Sequence, residues 1–161
     1  MELFTSFEGR IRRGQWWIGV IVLVIAVLIL QVIVGALFGA GFFGRFVTLL
    51  VSLAALYPAL ALATKRLADR GHPPMPRLAL FYGPGVLLTL LDTFRIGYRP
   101  LGDTGMPMMQ VEGMPGPDTM MPGTLPMVVG FIALIAGLWA LVELGILKGD
   151  EKENAFGPPP A

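Results

Sequence analysis

The chain has 161 residues, of which 55% are hydrophobic and 14% charged, with a mean hydropathy of +0.71. Soluble domains carry about 25% charged residues, so this chain has too little charge to face water all round, and a bilayer is the expected solvent. A net charge of +1 offers no global field for nucleic acid, and the absence of cysteine removes disulfides, thiolate metal ligands and thiol nucleophiles together.

Residues 1–15, "MELFTSFEGRIRRGQ", read as a polar N-terminal segment. The run from Trp16 to Phe38 then holds 23 residues without a charge and with one amide, Gln31. At 1.5 Å per residue it crosses roughly 30 Å of hydrocarbon, and it is longer than the roughly 7 to 15 residues of a signal-peptide core, so a retained span is expected rather than a cleaved leader. The short link "GAGFFGR" forces an antiparallel turn into a second span at residues 46–64, inside which Pro58 is expected to bend the helix. Charge follows at Lys65, Arg66, Asp69, Arg70 and Arg77, so residues 65–77 read as a loop. A third span is expected over residues 78–98, interrupted by Gly83-Pro84-Gly85 and carrying Asp92; a re-entrant element is the alternative. Residues 99–123 repeat Pro, Gly and Met without an apolar period and read as an irregular loop. The last span, residues 124–147, is long and clean, and residues 148–161 form a polar tail ending in three prolines and an alanine.

These elements predict an all-α integral membrane protein: four transmembrane helices, residues 16–147, as an antiparallel bundle with both termini on one side. Lysine and arginine fix the side. Arg10, Arg12, Arg13, Lys65, Arg66, Arg70, Arg77, Lys148 and Lys152 lie with the termini, against Arg45, Arg95 and Arg99 opposite, and this positive-inside bias puts both termini in the cytoplasm.

Helices in lipid associate through close packing and polar contact, because the tails are as apolar as leucine. Gly35 and Gly39 at the end of the first span, Ala55, Ala59 and Ala63 in the second, and Gly130, Ala133, Gly137 and Ala140 in the last each form a strip of small residues. The strips are expected to serve as seams within one chain, and they leave homo-oligomerisation open. Two ionisable groups fall within apolar spans. Glu143 would be costly facing lipid, so it is expected to face inward and pair with Arg10, Arg13, Lys65 or Arg66; a proton relay is the sharper alternative. Asp92 has Arg95 three residues on, a suitable helical partner.

Three motifs carry a family resemblance. "FEGRIRRGQWW" (Phe7 to Trp17), "KRLADRG" (Lys65 to Gly71) and "GDEKENAFGPPP" (Gly149 to Pro160) together resemble the bacterial inner-membrane family catalogued as domain of unknown function 805. The matching positions are Gly9, Arg10, Arg13, Trp16, Trp17, Arg66, Leu67, Asp69, Gly71, Asn154, Phe156, Gly157 and Pro158, while Lys65 and Ala68 depart from the pattern. The resemblance implies a place, the bacterial inner membrane, and brings no reaction with it. It also implies that Arg10, Arg13, Arg66, Asp69 and Asn154 meet in one polar cluster at the cytoplasmic interface, with Asp69 bridging Arg66 and one N-terminal arginine. The alternative is that each base contacts lipid phosphate.

No catalytic constellation stands out. His72, the one histidine, lies in a Pro-rich stretch and is expected to be solvated, Ser52 has no base on its helix, and no phosphate loop or dinucleotide fingerprint occurs. Seven methionines fall within 22 residues, among them Met106, Met108, Met109, Met120 and Met121, a set of soft ligands that would suit Cu(I), or an adaptable contact surface. The expected function is therefore non-enzymatic, without cofactor: an accessory or scaffold subunit whose partners are the bilayer and other membrane subunits, with no nucleic acid. A small transporter or channel component, using Glu143, Gln31 and the broken third span, is the second reading, and copper binding the third.

Overall fold

The computed structural model describes residues 2–101 and 119–160. Helix α1 (Glu2–Thr5) is a single turn, followed by α2 (Arg13–Phe38), α3 (Phe42–Asp69), α4 (Arg77–Phe94) and α5 (Thr124–Ala140), which runs on as a π-helical turn (Leu141–Ile146). Strands β1 (Tyr98–Pro100) and β2 (Met120–Pro122) pair antiparallel, Arg99 opposite Met121, and form a small ribbon between α4 and α5. Each long helix packs on the next, and the π-turn returns to α2 and α3. The fold is mostly helical, and three of its helices, Arg13–Phe38, Phe42–Asp69 and Thr124–Ile146, are long and apolar enough to cross a membrane.

The helix boundaries differ from the hydropathy reading in two informative places. Helix α3 continues through Lys65, Arg66 and Asp69, which the sequence assigns to a loop, and buries all three. Hydropathy marks where apolar side chains stop, whereas the helix stops where its backbone is capped. Helix α4 ends at Phe94, not at residue 98, because Arg95 adopts a left-handed conformation (φ 55°) and the Ile96 N–H closes back on the Leu91 carbonyl at 2.9 Å. Pro58 and Pro84 both lie within continuous helices.

The packed core sits at the end of the molecule that holds both chain ends. Ile11, Trp16, Leu62, Ala63, Leu67, Leu78, Phe81 and Leu144 form it, with Leu3, Phe4 and Ala140 against its edge. Beyond it α2 buries only Gly19 and Val34, and its outer side is bare: Ile18, Ile25, Val32 and Leu37 are all exposed. An apolar surface of that extent would be costly in water and costs nothing in lipid.

The small-residue strips are only partly used. Gly19, which belongs to none of them, makes the close approach between α2 and α3: a Cβ there would lie 2.7 Å from Leu62 Cδ2. Ala63 is fully buried, and Ala55 and Ala59 line a cleft facing Leu23 and Val27 of α2. On α5 the inward row runs through Val129 and Ala136, both buried, and Ala133 and Ala140, both half-buried, with Gly130 facing Leu88 of α4. Gly137 falls one residue outside this row and meets nothing, so it is not a seam residue. Gly35 and Gly39 are likewise not a seam. A Cβ on either would meet open space, because Gly39 (φ 65°) serves the α2–α3 turn and its N–H caps the Gly35 carbonyl at 2.9 Å.

Candidate functional site

A carboxylate at the C-terminal end of a helix opposes the helix dipole, so Asp69, the last residue of α3, needs cations close by. It has two. Arg66 lies one turn earlier on the same face, and its Nη1 donates to Asp69 Oδ2. Arg10 arrives from the N-terminal segment and donates to Asp69 Oδ1 through Nε at 3.2 Å and Nη2 at 3.1 Å. The three residues are 1% (Arg66), 3% (Asp69) and 8% (Arg10) exposed, which makes this a buried ion cluster rather than a surface pair.

Two arginines on one carboxylate leave an excess of positive charge, and the backbone absorbs it. Arg10 Nη1 donates to the Lys152 carbonyl at 3.0 Å and to the Gly157 carbonyl at 2.9 Å, while Nη2 also reaches the Asp150 carbonyl. Arg66 Nε donates to the Leu144 carbonyl at 2.8 Å and its Nη2 to the Leu147 carbonyl. These acceptors are available because the last carbonyls of a helix have no intrahelical partner, and Leu144 and Leu147 stand at the end of the π-turn that closes α5. Trp17 Nε1 takes the Gly145 carbonyl at 3.1 Å, and Arg70 Nη1 the Glu143 carbonyl at 2.8 Å. The rings of Trp16 and Trp17 close over Gly145, where a Cβ would lie 2.8 Å from Trp16 Cζ3.

The tail is folded onto this knot. The Asp150 N–H donates to the Asp69 carbonyl at 2.7 Å, and Asn154 Nδ2 to the Ala68 carbonyl at 3.0 Å, so carbonyls at the end of α3 are capped from residues some 80 positions away. Asn154 and Gly157 bridge each other through their backbones, and the Phe156 N–H donates to Asn154 Oδ1 at 2.9 Å. Gly149 touches the knot itself: a Cβ there would sit 2.6 Å from Asp69 Cγ.

Among the residues expected to cluster, Arg10, Arg66, Asp69 and Asn154 come together at this one site. Arg13 stands at its edge, exposed and without an ion pair among the described residues. Glu143 faces inward and is buried, but its partner is none of those expected: Arg70 Nη1 lies 2.8 Å and His72 Nε2 3.4 Å from its Oε1. Arg10 and Arg66 are taken by Asp69, and Lys65 reaches the Leu3 carbonyl at 2.9 Å, which leaves Arg70, one residue past α3, as the base above Glu143. His72, expected in solvent, is in this contact and only half-exposed. Asp92 pairs with Arg95 Nη1 at 2.8 Å, whose guanidinium stands 5.0 Å from the Tyr98 ring centre.

Among the copper candidates, Met106, Met108 and Met109 lie outside the described residues. Met120 and Met121 are successive residues of β2, so their side chains leave on opposite faces. Among the described residues no group of three His, Asp or Glu side chains is placed to hold a metal ion.

Chemically, the knot neutralises, caps and crosslinks. Its carboxylate is saturated by arginine and its donors are saturated by carbonyls. Arg70, Gly149 and Asp150 belong to it and lie within the three sequence motifs, but their roles are not readable from sequence, because they act through the backbone or through the crossing of distant helices. No curated protein and no solved structure matches the chain. A family model matches residues 4–158, a range that contains the knot's N-terminal, central and tail parts alike. The chain belongs to that family, described as protein of unknown function (DUF805).

Proposed function

We propose that the protein is a four-pass inner-membrane protein with both termini in the cytoplasm, serving as a non-enzymatic accessory or scaffold subunit of a larger membrane assembly. The observation that carries this reading is the Arg10–Asp69–Arg66 knot, which fastens N-terminal segment, α3 and tail into one rigid polar end. Such an end has structural order, with its buried carboxylate and arginines engaged by one another and by backbone carbonyls, as a docking or organising part requires. The charge asymmetry along the sequence supports its placement in the cytoplasm. Helix α4, at 18 residues, covers about 27 Å, with Arg77 and Asp92 near its two ends, which is a length and charge distribution compatible with a fourth crossing. The bare apolar length of α2 is the surface that lipid or a partner helix would cover.

The test is purification of the intact protein in mild detergent with quantification of what accompanies it. A defined partner in fixed stoichiometry supports a subunit role. A monodisperse protein that drives solute flux on its own in liposomes refutes it. Reporter fusions at His72 and at the tail test the topology: either one outside the cell ends the four-pass arrangement.

A specific observation favours the transporter or channel reading as the second one. At the ribbon end Gln31, Thr48, Ser52, Thr89 and Asp92 converge on a cleft of about 470 Å³ reaching into the apolar zone. Gln31 brings an amide to it from two turns before the end of α2, and no side-chain hydrogen bond ties that amide to another described residue. A polar cleft of this kind can admit water or a small polar solute, and the same flux measurement decides.

A further inference from the structure

Beside the knot, on the side where α2 begins and the tail leaves α5, lies an open cleft of about 740 Å³. Arg12, Arg13 and Lys148 stand on its rim, with Gln15 between them. None of the three bases has a carboxylate within ion-pair distance among the described residues. Arg12 is held by the tail, its Nε and Nη2 donating to the Pro160 carbonyl at 3.2 and 3.0 Å. That pair of bonds fixes the guanidinium without neutralising it.

The acids of the cleft are mostly engaged elsewhere. Asp69 is saturated by Arg10 and Arg66. Asp150 turns its Oδ2 to Asn154 Nδ2 at 3.0 Å and packs over Gly71. Glu151 is the remaining carboxylate on the wall among the described residues, and it forms no ion pair with Arg12, Arg13 or Lys148. Immediately along α2 comes Trp17, exposed and of the residue type that marks the level of lipid headgroups. A cleft that is positive, large enough for a tetrahedral oxyanion with its ester carbon chain, and placed at headgroup level has the chemistry of a phosphate receptor.

We propose that this cleft binds a phosphate ester oxyanion through Arg12, Arg13 and Lys148. An anionic phospholipid headgroup and a soluble phosphorylated compound share that chemistry. The proposal goes beyond the scaffold reading, and it takes from it only the headgroup level.

The test uses the full-length protein, delipidated in detergent, and its double variant Arg13→Gln/Lys148→Gln. Both side chains are exposed and neither belongs to the knot, so the variant should melt at the wild-type temperature, a control measured alongside. Phosphatidylglycerol, phosphatidylcholine and inorganic phosphate are titrated separately, the lipids by native mass spectrometry and the phosphate by calorimetry. The expected result is one phosphatidylglycerol retained in preference to phosphatidylcholine, with binding about thirtyfold weaker in the double variant, as two bases near an anionic headgroup imply. Inorganic phosphate bound as strongly as the lipid, and lost in the variant, supports the same receptor with a soluble ligand. Equal binding of both lipids, equal binding by wild type and variant, or no binding of any of the three overturns it. Partner co-purification does not depend on these side chains, so failure here and failure of the scaffold role are told apart.

Discussion

Replacing Asp69 by Asn keeps the shape of the knot and removes the one carboxylate shared by Arg10 and Arg66. Two guanidinium groups, 1% and 8% exposed, would then face each other across an amide that can accept from one of them but turns a donor to the other. Removing one partner of a buried ion pair typically costs about 3 to 5 kcal/mol, because the charge left behind is desolvated. Here the backbone carbonyls of Lys152, Gly157, Leu144 and Leu147 still serve the arginines, which places the expected loss near the lower limit, about 3 kcal/mol. Asp92→Asn is the matched control: its pair with Arg95 is a partly exposed, local one, and its loss should cost below about 1 kcal/mol. The assay is reversible denaturant unfolding of both variants in one detergent, followed by tryptophan fluorescence, since Trp16 and Trp17 sit beside the knot on Gly145. Adding Arg10→Gln to Asp69→Asn removes one uncompensated charge, so the double variant should lose less than the sum of the singles, by about 1 kcal/mol or more. If Asp69→Asn unfolds within error of the Asp92→Asn control, the cluster does not hold the protein together and the reasoning is wrong.

Gly149→Ala should cost about 1 to 3 kcal/mol, since its Cβ would overlap the Asp69 carboxyl, and the same unfolding measurement checks it. Gly19→Val should destabilise by a similar margin through Leu62, whereas Gly35→Ala, pointing into open space, should leave the midpoint unchanged; equal effects would refute the packing described for α2 and α3. Trp17→Phe removes the indole donor to the Gly145 carbonyl and should cost about 1 kcal/mol. A chain ending at Lys148 loses the carbonyls that hold Arg10, so trypsin should cut after Arg10, Arg12 or Arg13 faster than in the full chain. An unchanged cleavage rate would show that the tail does not hold the N-terminal segment.

The spans on α2 and α5 were legible because long uncharged runs have one cheap fate in a bilayer. The meeting of Arg66, Asp69 and an N-terminal arginine was legible only through the family resemblance, because hydropathy assigns residues 65–69 to a loop whereas α3 runs on through them. Other parts were not. The expected partners of Glu143 followed from depth alone, but which base sits above it depends on α3 continuing to Asp69, and that continuation is set by capping from Asp150 and Asn154. Gly149 and Asp150 enter through backbone atoms, which no side-chain pattern encodes. The small-residue strips misled for a related reason: spacing shows that a helix could be approached closely, and only the crossing point decides where. On α2 the approach falls at Gly19, far from the Gly35–Gly39 pair.

The two ends of the molecule are built on opposite principles. Where the termini meet, polar groups are buried and nearly all answered, and the apolar core lies directly beneath them, so motion of the N-terminal segment, α3, the π-turn or the tail would break bonds belonging to the others. At the ribbon end α2 stands largely uncovered, and the polar groups of Gln31, Thr48 and Ser52 border open space. Yet the ribbon end is packed as well: Leu49, Leu91, Thr93 and Pro126 are buried there, so the two ends differ in how much charge they bury and not in whether they have a core.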